Sequence, residues 1–275
     1  MTPDWLAACR RAVVEVRKIL AAAPTTTERM RATGTIGFGG DATLEIDEAA
    51  EDAIFAELQR LYDEGARFSA VSEERGPVDF GSPLPIVVID PIDGSTNAKR
   101  GLPHHAVSIA VAEGETMGDV SFGFVHDFGP EEEWVAWLGR GATLNGQPVP
   151  TAPGEHRSED GRLELLGIES ADPRWIRDAV DDLADAATRV RALGTMAVTL
   201  CQVAGARFDG MISIRRCRAV DAAAAQLIVR ESGGHVCFAG CPEPLGAPLD
   251  TVSHFPVVAA RTERGLSELS HIPIR

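Results

Sequence analysis

Two carboxylates three residues apart, Asp90 and Asp93, close the apolar run Pro85-Ile86-Val87-Val88-Ile89 and lead into the turn Gly94-Ser95-Thr96-Asn97. The β-branched run has the length and content of a strand covered on both faces, so both acids are delivered from a rigid strand end. Hard divalent cations such as magnesium take oxygen ligands from carboxylates, backbone carbonyls, water and phosphate. Pro91 restricts the backbone and Gly94 permits a turn, so the Ile92 carbonyl can face the same side as both acids. The Gly94 and Ser95 amides, with the Ser95 and Thr96 hydroxyls, suit phosphate oxygens if a helical turn begins there. These residues read as a metal-and-phosphate site.

Other acids sit at element ends. Glu73, in Ser72-Glu73-Glu74-Arg75-Gly76, follows the strand-like Phe68-Ser69-Ala70-Val71, although an acidic pair by itself is ordinary solvated surface. Asp221 precedes the small-residue helix Ala222–Val229, where an N-cap is the plain reading. The arginines Arg215, Arg216 and Arg218 suit a second phosphate, and equally a solvated strand end or subunit contact. Lys99 and Arg100 pose the same choice. The glycines between Thr33 and Asp41 lack the Gly-Lys-Ser/Thr ending of a phosphate loop and read as a flexible loop. Cys237 and Cys241 with His235 lack a second pair of zinc ligands, so all five cysteines read as structural thiols of a reducing compartment.

Taken in order, Glu73-Glu74, Asp90-Pro91-Ile92-Asp93-Gly94-Ser95-Thr96-Asn97, and Asp221 through Glu231-Ser232-Gly233-Gly234 resemble the motifs of the inositol monophosphatase superfamily, which includes fructose-1,6-bisphosphatases. The resemblance implies that Glu73, Asp90 and the Ile92 carbonyl hold a first magnesium, and that Asp90, Asp93 and Asp221 hold a second, with two or three ions in all. It places Asp47 against the Ser95 hydroxyl to activate water, which makes Asp47, Glu73 and Ser95 the catalytic set. The substrate would meet Ile92, Asp93, Gly94, Ser95, Thr96, Asp221 and the Gly194-Thr195 helix start, with Arg215 as a further contact.

The implied chemistry is metal-assisted, in-line hydrolysis of a phosphate monoester by water, without a phosphoenzyme. Lithium inhibition and a homodimer follow from the same resemblance. Where the animal enzymes carry a ring-binding glutamate and a Trp, this chain has Ser213 or Ile214 and Val220. Its arginine-rich segment is more similar to the archaeal and bacterial branch, in which inositol-phosphate and fructose-bisphosphate activities overlap. Inositol 1-phosphate is the first substrate expected, and fructose 1,6-bisphosphate or another sugar or nucleotide phosphate the alternative. A non-catalytic regulatory protein on the same fold is the reading from a different class.

Positioning these groups requires a substantial core, and 275 residues with 44% apolar content supply one. Helices are expected at 4–22, capped by Asp4, and at 44–62; strands at 68–72, 85–90, 105–112 and 119–125, with a hairpin at Asn145-Gly146. After residue 152 the pattern alternates: strand 163–168, helix 174–187, strand 189–192, helix 196–205, strand 208–214, helix 222–232 and strands 235–238 and 256–260. Residues 1–152 thus form an α+β half with most metal ligands, and 153–275 an α/β half with Asp221. The resemblance implies the layered αβαβα sugar-phosphatase fold, with the site between halves. A formal charge of −15 disfavours nucleic acid or an anionic membrane as partner. No run approaches the roughly 20 apolar residues of a membrane span, and no basic-then-apolar leader opens the chain, so a cytoplasmic protein is expected.

Overall fold

The computed structural model describes residues 3–38, 42–151 and 154–272. The first half runs α1 (Trp5–Ala22), α2 (Thr26–Arg29), β1 (Ala32–Ile36), β2 (Ala42–Leu44), α3 (Glu45–Asp63), β3 (Phe68–Ser72), β4 (Gly76–Asp93), α4 (Ser95–Arg100), β5 (Ala106–Ala112), β6 (Val120–Asp127), β7 (Glu132–Trp137), β8 (Gly141–Leu144) and β9 (Gln147–Pro148). The second runs β10 (Leu166–Glu169), α5 (Pro173–Asp178), α6 (Val180–Ala186), β11 (Val190–Arg191), α7 (Met196–Ala204), β12 (Gly210–Ser213), α8 (Ala219–Glu231), β13 (His235–Phe238), β14 (Val257–Ala260) and α9 (Glu263–Leu269).

Five layers result. Helices α1 and α3 cover the outer face of a seven-stranded sheet ordered β3 to β9, and their shared core includes Val16, Ile54, Leu58, Phe68, Ile89 and Phe124. Asp4 caps α1, its carboxylate accepting from the Ala7 amide at 3.0 Å. Helices α7 and α8 form the central layer. Ala222 to Ala225 and Leu227 to Val229 are all buried, and a helix apolar on every side belongs in an interior. The sheet comes very close to it: a Cβ on Gly123 of β6 would lie 2.5 Å from the Ala224 carbonyl oxygen. Beyond lies a mixed five-stranded sheet, ordered β11-β10-β12-β14-β13, with α5, α6 and α9 packed on its far side around Leu166, Ile212, Val258 and Leu269. This is the expected αβαβα arrangement.

Three expectations are revised. The glycine-containing segment read as a flexible loop contains a strand, β1, that pairs antiparallel with β2, while Gly39, Gly40 and Asp41 lie outside the described residues. The helix expected over 174–187 breaks at Ala179, and Asp181 and Asp182 then occupy the first turn of α6, where negative charge suits the helix dipole. Strand β4 starts well before residue 85. Ser69 is in register with both Asp79 and Ile86, so the segment 76–80 descends along β3 and the segment 86–89 ascends parallel to it. The boundary expected near residue 152 falls outside the described residues. Among the described residues no helix is long and apolar enough to cross a membrane, and Cys9, Cys201, Cys217, Cys237 and Cys241 are all free.

Candidate active site

A regular strand sends residues i and i+3 to opposite faces, so Asp90 and Asp93 should not share a cleft. The ladder between β4 and β5 is irregular between Asp90, opposite Ser108, and Asp93, opposite Ala106. Pro91 has no N–H to give the ladder, and the Ile92 amide donates to Asp90 Oδ1 at 3.1 Å. This local bulge re-aims the strand end, and both acids line one cleft of about 420 Å³ with Glu73, Ile92, Gly94, Ser95, Thr96, Gly194, Thr195, Arg218 and Asp221.

The acids converge from three elements. Glu73 comes from the turn after β3, Asp90 from β4 and Asp221 from the first turn of α8. One carboxylate oxygen from each of the three lies within 4.8 Å of the others. Asp221 is not the N-cap expected from sequence. The helix starts at Ala219, and Asp221, at its third position, accepts from the Arg218 backbone amide at 2.9 Å. Burial foremost, then the charges of Glu73, Asp93 and Asp221, holds the Asp90 carboxyl well above the ordinary carboxylate range, and Arg218 offsets this only partly. Glu73 is pushed up to about 8, again by burial first, with Arg218 pulling down and Asp221, Glu74 and Asp47 pushing up. An all-oxygen acid set of this kind, with Asp90 buried and Glu73 and Asp221 half-buried, fits a hard divalent cation. Glu73, Asp90 and Asp221 are the residues that would hold it.

Asp93 is held differently. Its carboxylate accepts from the Thr195 hydroxyl and from the Met196 and Ala197 amides, the latter two at 3.2 and 2.6 Å, so it sits on the N-terminus of α7. Burial raises it to about 7 against the pull of these donors, with Asp221 adding to the rise. The turn that follows is forced close to the second half of the chain. Gly94 has φ +82°, and a Cβ there would lie 3.0 Å from the His104 carbonyl, 3.1 Å from Thr195 Cβ and 3.2 Å from the Gly194 carbonyl. Only glycine fits both the conformation and the space.

Asp47 stands in the first turn of α3 and lines a second cavity of about 370 Å³ with Glu73, Glu74, Ser95, Thr96, Lys99 and Arg218. Its Oδ1 is buried without a hydrogen-bond partner, and the expected bond to Ser95 is not formed. At the third helical position the carboxylate turns back toward the Leu44 amide, a pull that lowers its pKa, whereas burial and then Glu74 lift it to about 7. Arg215 lies outside both cavity linings: it is exposed, with its guanidinium 5.1 Å from the centre of the Trp175 ring. Arg218 takes the central position instead, 2.7 Å from Glu73 and 3.4 Å from Asp221.

Two residues hold the Gly194-Thr195 wall: Glu169, which the sequence does not single out, and Asn97, which the motif includes without a role. Glu169, at the end of β10, accepts from the Leu193 and Gly194 amides at 3.0 and 3.1 Å and from the Thr199 hydroxyl at 2.6 Å. Burial still raises it to about 7. Asn97 donates to the His104 and Leu193 carbonyls at 2.8 and 2.7 Å, tying the turn to that wall. The signal for Glu169 was an acid at a strand end, the same pattern that singled out Glu73.

A sequence profile of the inositol monophosphatase family matches residues 7–271. A fructose-1,6-bisphosphatase/inositol-1-monophosphatase of Thermococcus kodakarensis is 38% identical over 198 residues, 72% of this chain and 70% of that protein. The Nus factor SuhB of Escherichia coli K12 is 33% identical, with 71% of each chain covered. The crystal structure of an inositol monophosphatase–fructose 1,6-bisphosphatase aligns with a TM-score of 0.81 over 98% of this chain and 99% of its own, at 24% identity, a likeness of fold. The chain therefore belongs to the inositol monophosphatase family. Membership supports a phosphatase of that superfamily, which is metal-dependent, and the acid cluster is where this chain would meet a metal.

Proposed function

We propose that the chain is a magnesium-dependent phosphoric monoester hydrolase, with inositol 1-phosphate as first substrate and fructose 1,6-bisphosphate as the alternative. The observation that carries this reading is the convergence of Glu73, Asp90 and Asp221 to within 4.8 Å, beside the Gly94-Ser95-Thr96 turn and in the same cleft. With Asp93 and the Ile92 carbonyl, these acids would hold magnesium. When bound, the cation supplies positive charge for the transferring phosphoryl group and lowers the pKa of water.

The protein's own groups do the rest. Amides of a helix's first turn lack intrahelical partners, so the start of α4, with the Ser95 and Thr96 hydroxyls, is placed to bind phosphate oxygens. Asp47, raised to about 7 with an unpaired oxygen, is suited to accept a proton from attacking water near neutral pH. The Gly194-Thr195 wall, braced by Glu169 and Asn97, would orient the alcohol portion of the ester. A homodimer and lithium sensitivity belong to the same reading.

Phosphate release from a panel of sugar phosphates with magnesium tests the proposal. Turnover of inositol 1-phosphate that Asp93→Asn abolishes is the expected result, and a much lower KM for fructose 1,6-bisphosphate would select the alternative. No release from any monoester would overturn the reading. The 32–33% identity to proteins named Nus factor SuhB favours a second, regulatory binding role on the same fold, but the intact acid set favours catalysis first.

A further inference from the structure

Arg218 lies inside the acid cluster. Its Nη1 is 2.7 Å from Glu73 Oε1 and its Nη2 3.4 Å from Asp221 Oδ1, and the side chain is only 19% exposed. Its own backbone amide donates to the other Asp221 oxygen, which fixes the base of the side chain against the same acid. The residue also lines both cavities, the one with Asp93 and Thr195 and the one with Asp47 and Lys99. Two of the three acids placed to hold a divalent cation are thus already engaged by a single positive charge.

A divalent cation and a guanidinium cannot both take the same carboxylate oxygens at full strength. Removing the guanidinium with nothing in its place would leave buried carboxylates facing one another, a costly arrangement. Once freed, the guanidinium is the side chain best matched to a phosphate oxyanion, through paired N–H donors. We propose that Arg218 is an exchangeable counter-ion: it neutralises Glu73 and Asp221 while no divalent cation is bound, yields them to the cation, and then contacts the phosphate ester in the cleft. This rests on the cation-site reading given above. It makes the site weaker for metal alone than its acid content would suggest, and couples metal entry to substrate binding.

Calorimetric titration of the metal-stripped protein with magnesium and with manganese, for wild type, Arg218→Met and Arg218→Lys, tests the exchange. Because a hydrogen bond to a charged group is worth roughly tenfold or more in an equilibrium, Arg218→Met should bind the cation about tenfold more tightly. Its metal-free melting temperature should fall below wild type, the deficit should close at saturating magnesium, and KM for inositol 1-phosphate should rise. Arg218→Lys should fall between the two, and decides the matter alone if the Met variant does not fold. Cation affinity equal to or below wild type in Arg218→Met, or a deficit that magnesium leaves unchanged, would overturn the exchange while leaving the phosphatase reading intact. If wild type and both variants take up no cation, the cation-site reading falls and this inference with it.

Discussion

Two groups of buried and half-buried acids face the same cleft, and their surroundings differ. Asp93 and Glu169 each accept hydrogen bonds from backbone amides and a threonine hydroxyl at the α7 wall. Glu73, Asp90 and Asp221 face mainly one another, with Arg218 as their shared positive neighbour. The first group is satisfied by the fold and holds its wall in place, which makes Asp93 a fixed edge of the proposed cation site and not its charge-dense centre. The second is charge-dense in a way the protein alone does not resolve, which is how a cation site differs from a structural network. Burial raises Asp93 and Glu169 in the first group and Glu73 and Asp90 in the second, so burial alone does not separate them. What separates them is the count of N–H and O–H donors.

The largest effect should come from neutralising the charge-dense group. Asp90→Asn should lower phosphate release about a thousandfold or more, since metal charge stabilisation is worth several kcal/mol. The melting temperature of the metal-stripped variant should equal or exceed wild type, because an acid whose charged form is disfavoured by burial and by its acidic neighbours gives way to a neutral amide of the same shape. A marked fall in that temperature would show that Asp90 is structural and erase the contrast.

Glu169→Ala should do the opposite. Stability should drop by about 2–3 kcal/mol as buried amides and the Thr199 hydroxyl lose their acceptor, read as a lower denaturant midpoint with and without magnesium. KM should rise while magnesium affinity holds. An unchanged midpoint would mean that the wall does not depend on this acid.

How much of this contrast was legible in sequence depended on whether a residue's partner lies nearby in the chain. Asp90, Asp93 and Gly94 were readable because strand, bulge-forming Pro91 and turn are contiguous. The α1 and α3 faces were readable from their period. Strand β7 was not: Glu132 and Glu133 make its start look like exposed loop, and only Arg207 and Arg10, far away in sequence, at 2.7 Å each, make them tolerable there. Glu169 was hidden for the same reason, since its donors at 193, 194 and 199 come from across a sheet and a helix. Arg215 and Arg218 have equal claims in sequence, and only the start of α8 at Ala219 decides that Arg218 enters the cluster while Arg215 meets Trp175.

A smaller, pH-dependent effect follows from the raised acids. Ordinary values near 3.8 for Asp and 4.5 for Glu rise in the folded chain to about 7 for Asp47 and Glu169 and about 8 for Glu73. The unfolded chain therefore releases these protons first as pH increases. The stability they contribute is present below about pH 4.5 and is lost as pH climbs through 7 and 8. The denaturant midpoint of metal-stripped protein should fall between pH 5.5 and pH 8.5, and magnesium should flatten the decline. A midpoint that rises across this interval would contradict the assignment.

The smallest effect belongs to Arg215. With its guanidinium over Trp175, Arg215→Ala should change KM for inositol 1-phosphate by less than about twofold, as expected of an exposed cation–π contact. A tenfold rise would return this residue to the substrate side.

The most direct test is an anomalous difference map from crystals soaked in manganese. A peak bounded by the carboxylates of Glu73, Asp90 and Asp221 is the expected result. Crystals that diffract well and show no peak there at saturating manganese, with the three carboxylates unmoved, would contradict the cation site and the hydrolase built on it.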